Sequence, residues 1–275
     1  MLVMSADIEM VVTDLDGTLL NNQKQVSQRD WQSLEHLGKL GIQRVIATGR
    51  SYLSLKRVLP THFPIDYLVF SSGVGIMDWS TKAVLKSFQL QPPDVKFIAQ
   101  ELVRRDLNFM IQDPSPHNHQ FAYYQNPNPG ADFTHRIRLY REHTRPWTPD
   151  QYHAASQFVI ISDEGPQLYR ELRQTFDQYN VVRTTSPLNH RSLWVEIYPP
   201  EVSKSLGTGE ICQIAGCNPA NVLAVGNDYN DLDLLNWAPH AAVVQNAPAE
   251  LRTQFHTVAS HNASGFSQAL EHYVF

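Results

Sequence analysis

Apolar residues along this chain fall into short runs broken by polar turns. Met10-Val11-Val12, Ile42 to Ala47 and Tyr67-Leu68-Val69-Phe70 read as buried strands. Between the first two, Ser27 caps a helix in which Trp31, Leu34, Leu37 and Leu40 recur at three-residue intervals, and Gly41 marks its end. Thr48-Gly49-Arg50 opens a second helix that ends near Pro60. Strand, helix, strand, helix, strand predicts a parallel sheet with helices on its faces. The last quarter repeats the rhythm: a helix over Ser203 to Ala215, a strand over Val222 to Val225, a short helix over Asp231 to Trp237 and a strand over Ala241 to Val244. Pro248 then opens a further helix.

The middle is different. Pro92-Pro93 precedes a helical stretch and Asn108 to Ile111 reads as a strand, but Asp113 to Asp150 is rich in Pro, His, Asn and aromatic residues. A structureless loop of that length does not suit a compact domain, so the segment belongs to a separate lid. Tyr123 and Tyr124 lie on one of its strands, and Phe133 to Tyr140 fits no single element. Phe158 to Ile161, a helix over Pro166 to Phe176, and Val181-Val182-Arg183 complete it. The chain is expected to rejoin the first sheet at Leu193 to Ile197, which divides it into a core (1–81 and 191–275) and an inserted domain (82–190).

Composition narrows the function. The chain has 275 residues, 42% hydrophobic and 18% charged, enough for one large core or two medium ones. A net charge of −5 argues against a polyanionic duplex or an acidic membrane as partner, and Arg136, Arg138, Arg141 and Arg145 form only a short basic stretch. No apolar stretch reaches the roughly 18 residues of a membrane span, and the start, with Asp7 and Glu9, lacks the basic residues of a secretory signal. Cys212 and Cys217 fit neither a metal clip nor a disulfide framework, and His117 and His119 lack a spaced acidic or cysteine partner. The expectation is a soluble cytoplasmic protein, monomer or homodimer, that handles a small molecule.

The candidate chemistry begins at Asp14-Leu15-Asp16-Gly17-Thr18, directly after the first strand. In extended chain, side chains two apart share a face, so both carboxylates emerge together and Gly17 lets the backbone turn. At about 4 Å and an effective dielectric near 20, two such charges repel by about 4 kcal/mol, so a cation or shared proton must intervene. Thr48 follows the second strand, Ser71 and Ser72 the third, and Asn227-Asp228-Tyr229-Asn230-Asp231 the strand ending at Val225. Open parallel sheets bind ligands beyond the carboxyl ends of their strands. Lys204 sits in the first turn of a helix, against the helix dipole, where it suits a grip on phosphate oxygens.

These motifs resemble the Cof-like phosphatases of the haloacid dehalogenase superfamily, which carry a large cap after the third strand. Asp14 to Thr18, Thr48 within Ala47-Thr48-Gly49-Arg50, Lys204 and the acidic stretch from Gly226 stand where that group has its four motifs. Val243 to Ala247 and Asn262 to Phe266 also match its tail. The resemblance implies an α/β fold: a Rossmann-like parallel core with helices on both faces and an inserted α+β cap. It implies a magnesium-dependent phosphatase acting on a small phosphorylated metabolite, a sugar phosphate or similar, through an aspartyl-phosphate. Asp14 would be the nucleophile and Asp16 the acid and base. Magnesium would lie among Asp14, the Asp16 carbonyl and Asn227 or Asp228; Thr48, Gly49, Lys204 and Asn230 would hold the phosphoryl group, with Thr18, Arg50 and Asp231 in support.

Two departures stand out: Asn227 replaces the usual acid of the fourth motif, and Ser72-Gly73 replaces the usual Asn-Gly after the third strand. Asn227 keeps open a phosphosugar-binding or regulatory protein with weakened chemistry. A phosphomutase of the same superfamily is the other alternative.

Overall fold

The computed structural model describes residues 7–162, 165–186, 188 and 191–275. The expected limits at residues 1 and 190 lie outside them. Two compact units emerge, one from the residues up to Lys86 with Ser203–Phe275, the other Ser87–Val202.

The first unit is built on an eight-stranded sheet. β1 (Met10–Thr13), β2 (Gln43–Ala47) and β3 (Tyr67–Phe70) run parallel to one another, and β12 (Val222–Gly226), β13 (His240–Val244) and β14 (His256–Val258) extend the parallel set on the other side of β1. β4 (Gly75–Asp78) turns back antiparallel on β3, and β5 (Val84–Ser87) closes that edge. The sequence reading contains neither of these two strands, nor β14.

Helices cover both faces, as the pattern of strands and helices predicts. α1 (Gln28–Lys39) starts where Ser27 Oγ accepts the Asp30 amide and turns Leu34 and Leu37 toward Ile46; α9 (Gly265–Tyr273) adds Phe266 and Leu270 to the same cluster. The opposite face receives α6 (Lys204–Ala215), whose Cys212 thiol meets Met10 and whose Gly207 admits the Val69 side chain. α7 (Leu232–Trp237) packs beside β12, and α8 (Ala249–Gln254) follows Pro248 beside β13. The helix expected from Thr48 to Pro60 is only α2 (Tyr52–Leu55), capped by Ser51. It buries Leu55, and beyond it the chain turns to bury Leu59 and Phe63.

The second unit carries a six-stranded sheet in the order β10 (Asn180–Thr185), β11 (Leu193–Tyr198), β9 (Gln157–Ser162), β6 (Phe109–Gln112), β7 (Phe121–Tyr124), β8 (Thr144–Pro146). All neighbours are antiparallel except β7 and β8. α3 (Pro92–Arg104) and α5 (Pro166–Thr175) pack on one face, against Phe109, Ile111, Phe158, Ile160, Val195 and Ile197. The alternate residues Met110, Phe121, Val159, Ile161 and Trp194 meet Phe133 of α4 (Ala131–Leu139), the segment the sequence left without an element.

Leu193–Tyr198 corrects the expectation that the chain rejoins the first sheet there. The strand pairs antiparallel with β9 and β10 inside the second sheet, and the first unit resumes only at Ser203. Pairing with β9 and β10 decides the sheet, and within it Val195 and Ile197 face the α3 and α5 cluster while Trp194 joins the cluster on the other face.

Candidate active site

Chain order reverses between β1 and β12, the adjacent strands from which the sheet grows in both directions. Such a switch point opens a crevice beyond the strands' carboxyl ends. Asp14 leaves β1 there, with its amide still donating to Val225 O of β12 at 2.9 Å.

Asp14 is buried, and its Oδ1 accepts from Lys204 Nζ at 2.7 Å. The same ammonium donates to Asp231 Oδ1 at 2.6 Å, and the lysine side chain is fully enclosed. Asp231 turns its second oxygen to the amides of Asn227 and Asp228, at 2.8 and 3.1 Å, so one carboxylate both fixes the ammonium and shapes the turn after β12. Burial pushes the Asp14 carboxyl up to about 7; Lys204 pulls it back, and Asp231 and Asp16 add to the rise. Lys204 is disfavoured as a cation by burial, but the two carboxylates outweigh that and hold it above its ordinary value.

Asp16 has a different environment two residues on. Arg50 grips it with two bonds, Nε to Oδ2 and Nη2 to Oδ1, and Lys24 Nζ lies 3.1 Å from Oδ1. Burial raises its carboxyl, yet the Arg50 bonds and charge, with Lys24, bring it below the usual carboxylate range. The repulsion expected between the two acids is therefore offset by side-chain cations, Lys204 for one and Arg50 with Lys24 for the other. Nothing in the sequence pattern pointed to Lys24, which acts from the turn after Leu20.

Gly17, at φ +77°, makes the turn between these acids and the rest of the motif. A side chain there would meet the Asn227 amide at 2.7 Å, and Asn227 Oδ1 accepts from Thr18 Oγ1 at 3.0 Å. Asn246 Nδ2 donates to Gly17 O at 2.8 Å, and its Oδ1 accepts from the His261 amide. That bond gives the tail motif a physical task, pinning the loop that presents Asp14 and Asp16.

Thr48 is buried at the end of β2, and its Oγ1 accepts the Arg50 amide at 3.1 Å. Gly49 faces the Asn230 amide, whose Nδ2 lies 3.7 Å from where a Cβ would stand. Asp228 Oδ1 accepts the Tyr229 amide and caps the turn that presents Asn230. Asp14, Thr48, Lys204, Asn227, Asn230 and Asp231 thus come from four separate segments to one edge of the first sheet.

No group of three or more His, Cys, Asp or Glu side chains suited to a metal occurs among the described residues. Side-chain oxygens at the switch point include the Asp14 carboxylate, Asn227 Oδ1 and the Asp228 carboxylate. Hard oxygen donors of this kind fit magnesium, which keeps several waters and needs few protein ligands.

The sequence profile of the haloacid dehalogenase-like hydrolases matches residues 11–270. A 5-amino-6-(5-phospho-D-ribitylamino)uracil phosphatase of Bacillus subtilis is 23% identical, over 93% of this chain and 94% of its own. Among solved structures, a phosphatase of the superfamily from Bacteroides thetaiotaomicron aligns with a TM-score of 0.79 at 19% identity, covering 97% of this chain and 95% of its own. A subclass IIB sugar phosphatase aligns with a TM-score of 0.75 at 16% identity, over 96% of this chain and 98% of its own. Both share the fold. No helix among the described residues is long and apolar enough to cross a membrane. The four motifs meet at one sheet edge and the profile spans nearly the whole length, so the chain belongs to the haloacid dehalogenase-like hydrolases.

Proposed function

We propose that this protein is a magnesium-dependent phosphatase that hydrolyses a small phosphorylated metabolite, a sugar phosphate or similar, through an aspartyl-phosphate on Asp14. The observation that carries the reading is the Asp14 carboxylate, buried at the switch point and held by an ammonium that Asp231 holds in turn. A rigid nucleophile beside a fixed cation lowers the cost of bringing a carboxylate to a phosphate dianion.

Phosphate monoesters are inert enough that about 20 kcal/mol or more of barrier must be removed, so several effects act together. Asp14 attacks phosphorus in line, the phosphorus–oxygen bond to the leaving group breaks, and Asp16 gives that oxygen a proton. Asp16 then takes a proton from the water that attacks the aspartyl-phosphate, releasing inorganic phosphate and regenerating Asp14. At rest Asp16 is a carboxylate bound to Arg50 and Lys24. Its acid role therefore requires that pair to open and the carboxylate to take up a proton from solvent before the leaving group departs. Thr48, Gly49, Lys204 and Asn230 hold the phosphoryl oxygens, while Thr18, Arg50 and Asp231 keep the loops in place.

Asp14, the Asp16 carbonyl and Asn227 or Asp228 would hold the magnesium ion, which when bound neutralises charge on the phosphoryl group. The second unit is the proposed cap that selects the substrate. The neutral amide of Asn227 favours one other reading, a phosphosugar-binding protein without turnover. Phosphate release from a panel of phosphorylated sugars, nucleotides and cofactors with magnesium decides between them: the phosphatase reading requires release from the native chain and none from Asp14→Asn.

A further inference from the structure

The loop after β3 contains a polar atom that the account above leaves unused. Ser72 is only 4% exposed, and its hydroxyl has no hydrogen-bond partner among the described residues. A buried hydroxyl left unmatched is costly, so its persistence points to a partner supplied from outside the chain.

The backbone holds that hydroxyl in place at some expense. Ser71, Ser72 and Gly73 have φ of +50°, +54° and +110°, the first two in a region that side chains other than Asn, Asp and Gly rarely enter. Two bonds zip this loop to the second motif: the Ser72 amide donates to Thr48 O and the Ser71 amide to Arg50 O, both at 2.9 Å. On its other side, Gly73 packs against the backbone of Ser203, the cap of the helix that begins with Lys204. The loop is therefore clamped between two of the segments that form the site.

Its direction follows from Gly49. A Cβ built there would stand 3.6 Å from Ser72 Oγ and 3.7 Å from Asn230 Nδ2. The absence of that side chain keeps a space into which both groups face. Thr48 accepts the Arg50 amide with its hydroxyl oxygen, which leaves its own O–H directed elsewhere. Two donors of neutral charge, Ser72 Oγ and Asn230 Nδ2, border one small space beside Thr48-Gly49, and the buried ammonium of Lys204 lies at the same sheet edge. An anionic oxygen is the partner that such a set recognises.

We infer that Ser72 donates a hydrogen bond to a phosphoryl oxygen of the bound substrate, beside Thr48, Gly49 and Asn230. The assignment rests on the phosphatase reading and deepens it: the serine that replaces the usual asparagine after the third strand is a phosphate ligand of this chain, not a spacer.

The test uses inorganic phosphate with magnesium and the full chain, read by thermal unfolding and by competitive inhibition of phosphate release. Ser72→Ala removes only the hydroxyl. The expected result is phosphate binding weakened roughly 10- to 100-fold, the cost of a hydrogen bond to a charged group, and a loss of phosphate-induced stabilisation. In the absence of phosphate the same variant unfolds at the native temperature or above it, because an unmatched polar atom has been removed. Ser72→Asn, which tolerates the left-handed backbone and restores a donor, recovers most of the binding. Phosphate binding by Ser72→Ala equal to that of the native chain would overturn the assignment while leaving the phosphatase reading intact. A native chain that neither binds phosphate nor releases it from any ester would overturn both.

Discussion

The two sheets of this protein keep their polar residues in different places. In the first sheet the buried residues of β1, β2, β3 and β12 are apolar but for Thr13, and Asp14, Thr48, Ser72 and Asn227 all lie just beyond strand ends. In the second, polar side chains sit within the strands themselves. Gln112 and Gln157 are paired in register across β6 and β9, and Glu196 and Tyr198 lie on the neighbouring strand β11. Tyr198 bridges them, donating to Glu196 Oε2 at 2.6 Å and accepting from Gln157 Nε2 at 3.3 Å. A parallel open sheet delivers chemistry to its edge by a backbone rule. An antiparallel sheet with one face under a helix must instead match each buried polar group individually.

If the edge of the first sheet carries the reaction, the largest effect comes from its nucleophile. Asp14→Asn should lower kcat/KM by about four orders of magnitude or more with the fold intact, as circular dichroism and phosphate release would check. Lys204→Met should cost nearly as much in rate and also about 3–5 kcal/mol of stability, because Asp14 and Asp231 lose the cation between them; chemical denaturation measures this. Chelation should abolish turnover, and added magnesium should restore it.

The second sheet should behave otherwise. Tyr198→Phe unties Glu196 and Gln157 and should cost about 1–2 kcal/mol, yet turnover of a small activated aryl phosphate should stay within about threefold. A collapse of that turnover would break the contrast between an edge that reacts and a sheet that only supports or selects.

The smallest effect concerns Asp16. Its carboxyl is below the usual range, so the Arg50 pair stabilises the fold above the ordinary carboxylate pKa and ceases to do so as pH falls through the lowered one. Arg50→Gln should then cost up to about 1 kcal/mol at neutral pH, discounted for partial exposure. The difference should fade below about pH 4, and denaturation at both pH values would reveal it.

The same contrast explains what the sequence made legible. Short apolar runs ending in acids, hydroxyls and amides mark β1, β2, β3 and β12 by local composition alone. Ser27 and Ser203 announce their helices by capping them. Lys204 was visible because it opposes a helix dipole, and its burial between two acids supplies the reason. Asp16's partners were not visible. Arg50 was noticed only through its motif, and Lys24 reaches across a turn that no local pattern specifies. Leu193–Tyr198 misled because an apolar strand carries no label for the sheet it joins; only pairing with β9 and β10 decides that. Phe133 to Tyr140 resisted assignment for a related reason. Its helix is largely exposed, and Phe133 finds its place only in a cluster drawn from four strands of the second sheet.

The covalent step is open to direct observation. Rapid acid quenching during turnover of a phosphorylated substrate, followed by peptide mass spectrometry, should find one phosphoryl group on the peptide that carries Asp14. That group should vanish in Asp14→Asn. Turnover with no phosphorylated peptide at any time, or with the phosphoryl group on another residue, would contradict the account.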